Sequence, residues 1–352
     1  MNLVAVVETK CADRAAWENI VQNDDFIHPG RFPEWGAIVA QALRQSVFCV
    51  EVRDDERLVG VLPLVFMRSP LFGKHLVSLP YLNVSGVEAH DDKNREKIDF
   101  LLIDEAIRLA DSLDVQYLEI RGEREVSHPA LNSERREKVL MRLALPKSSQ
   151  ELWDGFKPKV RNQIRKAQKS NLSAEWGGRE LVNDFYAVFS ETMRNVGTPV
   201  YSRSLFELIL ERLSNSAEIC VVRDPSGRIA SAALLICGRN IVEVPSAGSL
   251  PWANPMCANM FLYWSLLEHS VDVRKMKLFD FGRSSVGSNV WKFKKQWGAE
   301  ESPLVWKYYV RRGTIEDVRP NNASYSTAIR IWKRLPVWLT RLIGPEIVRG
   351  IP

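Results

Sequence analysis

The sequence has no run of about 18 apolar residues, the length a membrane-spanning helix requires, so no span is expected in its 352 residues. The opening residues, MNLVAVVETKCADRAAW, lack a basic stretch followed by a long apolar core, and no secretion signal is expected there. Cysteine is scarce, with five residues at Cys11, Cys49, Cys220, Cys237 and Cys257. Their number is odd, their spacing is wide, and no pair has the spacing of a zinc site. The expectation is reduced, packed thiols in a cytoplasmic protein with no metal. No helix-turn-helix and no aromatic-basic RNA motif is visible, so DNA is not an expected partner. What remains is an ordinary globular composition, 45% hydrophobic and 26% charged, on a chain long enough for two domains.

The net charge of +5 is unevenly spread. Residues 157–169 hold Lys157, Lys159, Arg161, Arg165, Lys166 and Lys169 with no acid, and the tail from Arg330 holds five cations against Glu346. These segments contribute +6 and +4, which leaves the remainder at −5. Anionic partners are therefore implied locally. Lys157, Arg161, Arg165 and Lys169 recur every fourth residue on a helix expected over 158–171. Such a stripe is either a solvated face or a site where a phosphate or carboxylate relieves the repulsion. The tail, Ile331 to Gly344, mixes Trp, Leu and cations and is interrupted by Pro336. It reads either as a helix docked on the body or as a segment that meets a membrane surface.

One order of elements occurs twice. In the first half, strands at 48–53, 58–67 and 75–79, a loop at 80–86 and a helix at 93–112 lead to a strand at 116–121. In the second half, strands at 218–223, 228–237 and 241–244, a loop at 245–253 and a helix from Asn254 to about His269 lead to a strand at 276–281. The landmarks Leu79-Pro80 and Val244-Pro245, and Leu118-Glu119 and Phe279-Asp280, match pairwise. The expected fold is α/β (α+β), two copies of a mixed sheet flanked by helices, joined near 146–150.

The stretch richest in chemistry is Phe279-Asp280-Phe281-Gly282-Arg283-Ser284, followed by Trp291-Lys292-Phe293-Lys294-Lys295-Gln296-Trp297-Gly298. It predicts a buried strand ending at Asp280 and Arg283, a short loop, and a helix that holds Lys294 between two aromatics. Strand ends that feed loops are where α/β proteins place their chemistry. Lys294 reads as either a snorkelling helix lysine or a fixed cation in a dry cleft. Asp280 either accepts a proton or pairs with Arg283. The loop at Ser246 and Trp252, meeting a helix capped by Asn254, is a candidate acyl pocket. The first copy ends its strand at Glu119-Ile120-Arg121 but carries Glu123-Arg124-Glu125 where the second has its lysine helix.

Together with Leu152-Trp153, the run Lys157 to Ala167, Gly60 to Leu64 and Ser78-Leu79-Pro80, these residues resemble the FemAB family of aminoacyltransferases within the GNAT-like acyltransferase clan. They resemble most the FemAB-like proteins with BioF2-like acetyltransferase domains found with exosortase (PEP-CTERM) and exopolysaccharide loci. The resemblance spans about residues 30 to 310. It implies two tandem GNAT-like domains, 1–148 and 149–312, with 313–352 as a basic tail.

The resemblance also implies transfer of an acyl or aminoacyl group to an amine of a small-molecule, glycan or peptide acceptor of the cell envelope. Lys294 would stabilise the oxyanion, with Asp280 and Arg283 beside it. Lys157, Arg161, Arg165, Tyr81, Arg121, Ser246, Trp252, Asn254 and Trp297 are the candidate substrate contacts. No bound cofactor is expected. The activated donor is acyl-CoA or aminoacyl-tRNA, and neither copy has the Gly-rich pyrophosphate turn of acetyl-CoA enzymes. The alternative is a non-catalytic protein that binds a glycan or nucleotide-sugar by stacking on Trp153, Trp252 and Trp297. The expected location is the cytoplasm, including the inner face of the membrane.

Overall fold

The computed structural model describes residues 3–8, 14–90, 93–315 and 326–352. Contacts divide the chain into one unit of Met1–Lys138, Pro303–Ser326 and Glu346–Pro352 and a second of Val139–Ser302 and Thr327–Pro345. The chain thus changes unit at 138–139, ahead of the join expected near 146–150. The reason is that the strand following Lys138 pairs into the second sheet.

The first unit runs β1 (Leu3–Glu8), α1 (Arg14–Ile20), α2 (Glu34–Leu43), β2 (Ser46–Asp54), β3 (Arg57–Ser69), β4 (Gly73–Val77), β5 (Glu88–Ala89), α3 (Arg95–Ser112), β6 (Tyr117–Gly122) and β7 (Ser133–Arg135). The second runs β8 (Lys138–Ala144), α4 (Ser149–Gly155), α5 (Pro158–Lys169), β9 (Ser173–Gly177), α6 (Val182–Val196), α7 (Arg203–Arg212), β10 (Ala217–Arg223), β11 (Ile229–Cys237), β12 (Ile241–Ser249), α8 (Ala258–Asp272), β13 (Leu278–Ser285), α9 (Asn289–Gln296) and β14 (Glu300–Pro303). The chain then supplies β15 (Val305–Val310) to the first sheet and ends in α10 (Ser326–Trp332) and α11 (Val337–Val348).

Both sheets are mixed. The first has the order β1-β2-β3-β4-β6-β15-β7, with β5 on β3, and the second β14-β8-β13-β12-β11-β10-β9. In each, one parallel pair joins strands separated by a helix: β4 with β6 across α3, and β12 with β13 across α8. The doubled order of elements in the sequence is therefore a doubled topology.

Burial explains the elements. In the first unit Ile98, Leu102, Ile103 and Ala106 of α3 pack on Val50, Leu62, Leu64 and Leu118 of the sheet. The fit is close at Gly60, where an added Cβ would lie 2.4 Å from Ile98 Cγ2 and 3.0 Å from Leu102 Cδ1. In the second unit α5 and α8 cover one face through Val160, Ile164, Leu262 and Leu266 over Ala233, Leu235, Val242 and Phe279. Helix α5 starts where Pro158 takes its first position, since proline sacrifices no hydrogen bond there.

Two elements depart from expectation. Strand β12 continues to Ser249 where a loop was expected from Pro245. A bulge allows this: Ile236 faces Glu243 and Leu234 faces Ser246, so two residues of β12 oppose the single Leu235. Helix α8 begins at Ala258, not Asn254. A 3-10 turn over Pro251–Met256 precedes it, and Cys257 enters the helix at a left-handed φ of 56°.

The close fit at Gly60 yields a test. Gly60→Val should overpack the contact between α3 and β3 and destabilise the first unit by about 1–3 kcal/mol, read as a lowered denaturation midpoint.

Candidate active site

The second sheet parts at one point. Strands β12 and β13 pair in parallel from Ile241↔Leu278 to Glu243↔Asp280, and both then continue without pairing further. The bulge at Val244-Pro245 turns β12 as it leaves β13. Two buried carboxylates, Glu243 at 1% and Asp280 at 0% exposure, therefore stand side by side at the root of a fork. Of the two bulge residues, Pro245 has no N–H to offer.

Lys294 of α9 enters this fork. It is 5% exposed, and its Nζ donates to Gly282 O at 3.0 Å and Arg283 O at 2.9 Å. Burial lowers its pKa from 10.5 to about 8, against the opposing pull of Asp280 and Glu243 and with a smaller push from Arg283. The α9 helix is placed by Ser288, whose hydroxyl accepts from Trp291 N, and by its aromatic face. Trp297 lies 5.4 Å from Phe156, and Phe293 5.0 Å from Tyr263, ring centre to ring centre. Because Phe293 and Trp297 are anchored in the core, the lysine between them has little freedom to leave.

Asp280 has partners at both of its oxygens. Its Oδ2 accepts from Arg142 Nε at 2.8 Å and its Oδ1 from Gly282 N at 2.6 Å. Both oxygens are engaged and the group is fully buried, so Asp280 braces the strand end. Arg283 is exposed. Sequence reasoning missed Arg142, which comes from β8, a strand with no counterpart in the doubled order. Its only signal is the short apolar run Val139-Leu140-Met141 that precedes it.

The equivalent parting in the first unit is closed. Strands β4 and β6 pair in parallel as far as Val77↔Glu119. Arg121, 2% exposed, then fills the gap: Nε donates to Glu119 Oε1 at 2.5 Å, and Nη1 to Pro80 O at 2.5 Å and Leu82 O at 2.9 Å. Its guanidinium also lies 4.3 Å from the centre of the Trp306 ring. Arg121 thus braces the end of β6 through three donated hydrogen bonds. Tyr81 packs on Trp35 with ring centres 5.8 Å apart.

The other expected contacts separate into two groups. Ser246 is buried at 3% on β12, one step past the bulge. Lys157 and Arg165 are exposed on α5, with the Arg165 guanidinium 5.4 Å from the Trp153 ring centre. Arg161 is half-buried, and its Nε has no hydrogen-bond partner among the described residues. By contrast, Trp297 is core at 1% exposure, Trp252 is covered by Arg228 at 3.8 Å, and Asn254 is an exposed residue of the 3-10 turn. Trp153 packs edge-on to Trp264 with ring centres 5.1 Å apart. None of the three tryptophans offers two open faces to a sugar. Among the described residues no cluster of His, Cys, Asp and Glu is arranged to hold a metal.

This geometry has recognisable relatives. Residues 156–295, which lie in the second unit, match the acetyltransferase (GNAT) domain family. No curated protein sequence matches the chain. Among solved structures, FemX is 15% identical with a TM-score of 0.64 over 92% of this chain and 100% of its own. L-PGS from Bacillus licheniformis is 14% identical at 0.53, over 94% and 97%. A tandem GNAT protein from the clavulanic acid biosynthesis pathway is 12% identical at 0.53, over 89% and 100%. At such identities the likeness is one of fold, and the fold is the tandem GNAT arrangement.

The buried ion pair and the lysine make separate predictions. Asp280→Asn removes the buried carboxylate charge that accepts from Arg142 Nε and should cost about 3–5 kcal/mol in the second unit, measured by denaturant unfolding. Lys294 binds its proton less tightly in the fold, at about 8, than in the unfolded chain, at 10.5. Between those values the unfolded state therefore holds more protons, and stability rises with pH. Measured against Lys294→Met, the wild-type protein should gain stability from pH 8 to 10.5.

Proposed function

We propose that the chain is an acyltransferase of the FemAB type, which transfers an acyl or aminoacyl group to an amine on a cell-envelope or polysaccharide precursor, with Lys294 as its oxyanion-binding cation. The observation that carries this reading is the placement of one buried ammonium at the root of a fork in a GNAT sheet. An ammonium has three N–H donors. Two are held by the carbonyls of Gly282 and Arg283, and the third serves the substrate.

The chemistry follows. The acceptor nitrogen attacks the donor's carbonyl carbon, forming the C–N bond while the carbonyl electron pair moves onto oxygen. Lys294 holds that oxyanion. Collapse breaks the bond to the leaving oxygen or sulfur, which takes up the proton released by nitrogen. One well-placed donor in such a site is worth ~2.7–4 kcal/mol. With Pro245 at the bulge, that backbone N–H is lost from the oxygen's surroundings, which puts more weight on the side-chain cation.

The donor is acyl-CoA or an aminoacyl ester of tRNA. The stripe of Lys157, Arg161 and Arg165 on α5 supports an anionic donor of either kind: it has cations without acidic partners and a buried, unpartnered Arg161 Nε. Of the three tryptophans of the saccharide-binding alternative, Trp297 is core and Trp252 has Arg228 over its ring.

Purified protein is to be assayed with acetyl-CoA and with aminoacyl-tRNA against small amines and amino-sugar acceptors. Lys294→Met should lower kcat about 100- to 1,000-fold while the donor still binds; turnover near wild type would sink the assignment. A required cation also sets the pH profile. Because Lys294 loses its proton at about 8, activity should fall as pH rises beyond that value. A rise through the same range would identify Lys294 as a base instead.

A further inference from the structure

The C-terminal helices of the second unit have two faces. One face is docked. Thr340 of α11 is 1% exposed, and Gly344 lies so close to Val200 that an added Cβ would meet its N and O at 3.1 Å. Arg341 turns inward as well: its Nε donates to Ser190 Oγ at 2.8 Å and its Nη2 to Ala187 O at 3.3 Å. Its guanidinium lies 5.7 Å from the ring centre of Tyr186. Helix α10 is held likewise, with Trp332 buried and Ile329 and Lys333 packed against Gly197.

The other face is open and apolar. Trp338 is 66% and Leu342 67% exposed, one helical turn apart. Ile331 on α10 and Val196 at the end of α6, beside Gly197, are each 56% exposed. Four of the ten large hydrophobic residues exposed among the described residues thus lie on these three helix segments. Arg330, Lys333 and Arg334 are exposed among them, and no acidic residue occurs between 326 and 345. No helix of the described residues is long and apolar enough to cross a membrane.

We propose that this face docks on an anionic lipid bilayer. Trp338, Leu342 and Ile331 enter the boundary between headgroups and acyl chains, and Arg330, Lys333 and Arg334 lie against lipid phosphates. The charge pattern selects this occupant. Each outward cation near an anionic surface adds to binding, tryptophan and leucine supply the shallow apolar contact, and the one acid of α11, Glu346, is paired with Arg349 at 2.7 Å. Arg341 is excluded from the lipid contact because its donors tie the helix to α6. The inference is independent of the reaction proposed above.

The test uses the full chain and sedimentation with vesicles of mixed phosphatidylglycerol and phosphatidylcholine, against vesicles of phosphatidylcholine alone. Sedimentation is preferred to intrinsic emission because Trp338 is one of eleven tryptophans. Wild-type protein should pellet with the anionic vesicles and be released by salt. The double variant Trp338→Ser/Leu342→Ser and the charge reversal Arg330→Glu/Arg334→Glu should each lower partitioning about tenfold or more. All four side chains are exposed, so both variants should keep the wild-type circular dichroism and melting temperature. Equal sedimentation with neutral vesicles, or partitioning unchanged in both variants, would overturn the proposal. Self-association abolished by Trp338→Ser/Leu342→Ser, with no vesicle binding, would also overturn it and assign the face to a second copy of the chain.

Discussion

The second unit depends on one buried electrostatic arrangement. Where β12 and β13 part, Glu243 and Asp280 lie side by side with almost no access to water. Two carboxylates at adjacent positions of a parallel pair repel each other, and the fold answers with two cations from different elements. Arg142 reaches Asp280 from β8, and Lys294 approaches from α9. The Gly282 N–H completes Asp280. Removing either cation would leave an uncompensated carboxylate in the interior, a far larger penalty than the net worth of the pair. The cluster therefore fixes which strand lies beside β13 and where α9 begins.

Comparison of the two units gives that arrangement its functional meaning. Both have a parallel pair ending at an acidic residue, Glu119 in one and Asp280 in the other. In the first, the cation is Arg121, on the same strand two residues later, and its side chain fills the gap beneath the carbonyls of Pro80 and Leu82. In the second, the matching position is Gly282, which fills nothing, and the cation arrives from outside the strand. The same charge balance is met by a plug in one copy and by a lysine on a separate helix in the other. Only the second arrangement brings an ammonium to the parting of the parallel pair.

Much of this was legible in the sequence. The doubled order of elements appeared in the paired landmarks, because turns and apolar runs are local signals. Lys294 stood out because Phe293 and Trp297 sit one and three residues away, and two anchored aromatics on one short helix dictate where the residue between them points. The rest depends on tertiary pairing. Arg142 carries no local mark that distinguishes it from other cations, and its importance arises only when β8 is laid beside β13. Strand β15 returns to the first sheet after the whole second unit, a separation that no periodicity reveals. The β12 bulge was mistaken for a loop because Pro245 reads as a breaker, whereas a bulge is one of the few places a strand tolerates proline. Arg121 and Lys294 are both buried donors to backbone carbonyls, and only the tertiary fold separates them: Arg121 pairs with Glu119 on its own strand, whereas Lys294 arrives from a separate helix.

A buried lysine is costly to keep charged, and burial has drawn its pKa down to about 8. An arginine would stay charged and offer five donors in a planar fork, whereas a lysine is a compact point charge. The compact ammonium can grip both carbonyls at 2.9–3.0 Å and still present a donor. The neighbouring carboxylates then have a second role. They keep most of the lysine protonated near neutral pH by opposing desolvation, without approaching it as direct hydrogen-bond acceptors that would consume its third N–H. A pair placed for pure stability would bring carboxylate and ammonium into contact. The offset observed here, with Asp280 turned to Arg142 and Gly282, leaves the cation electrostatically supported and chemically available.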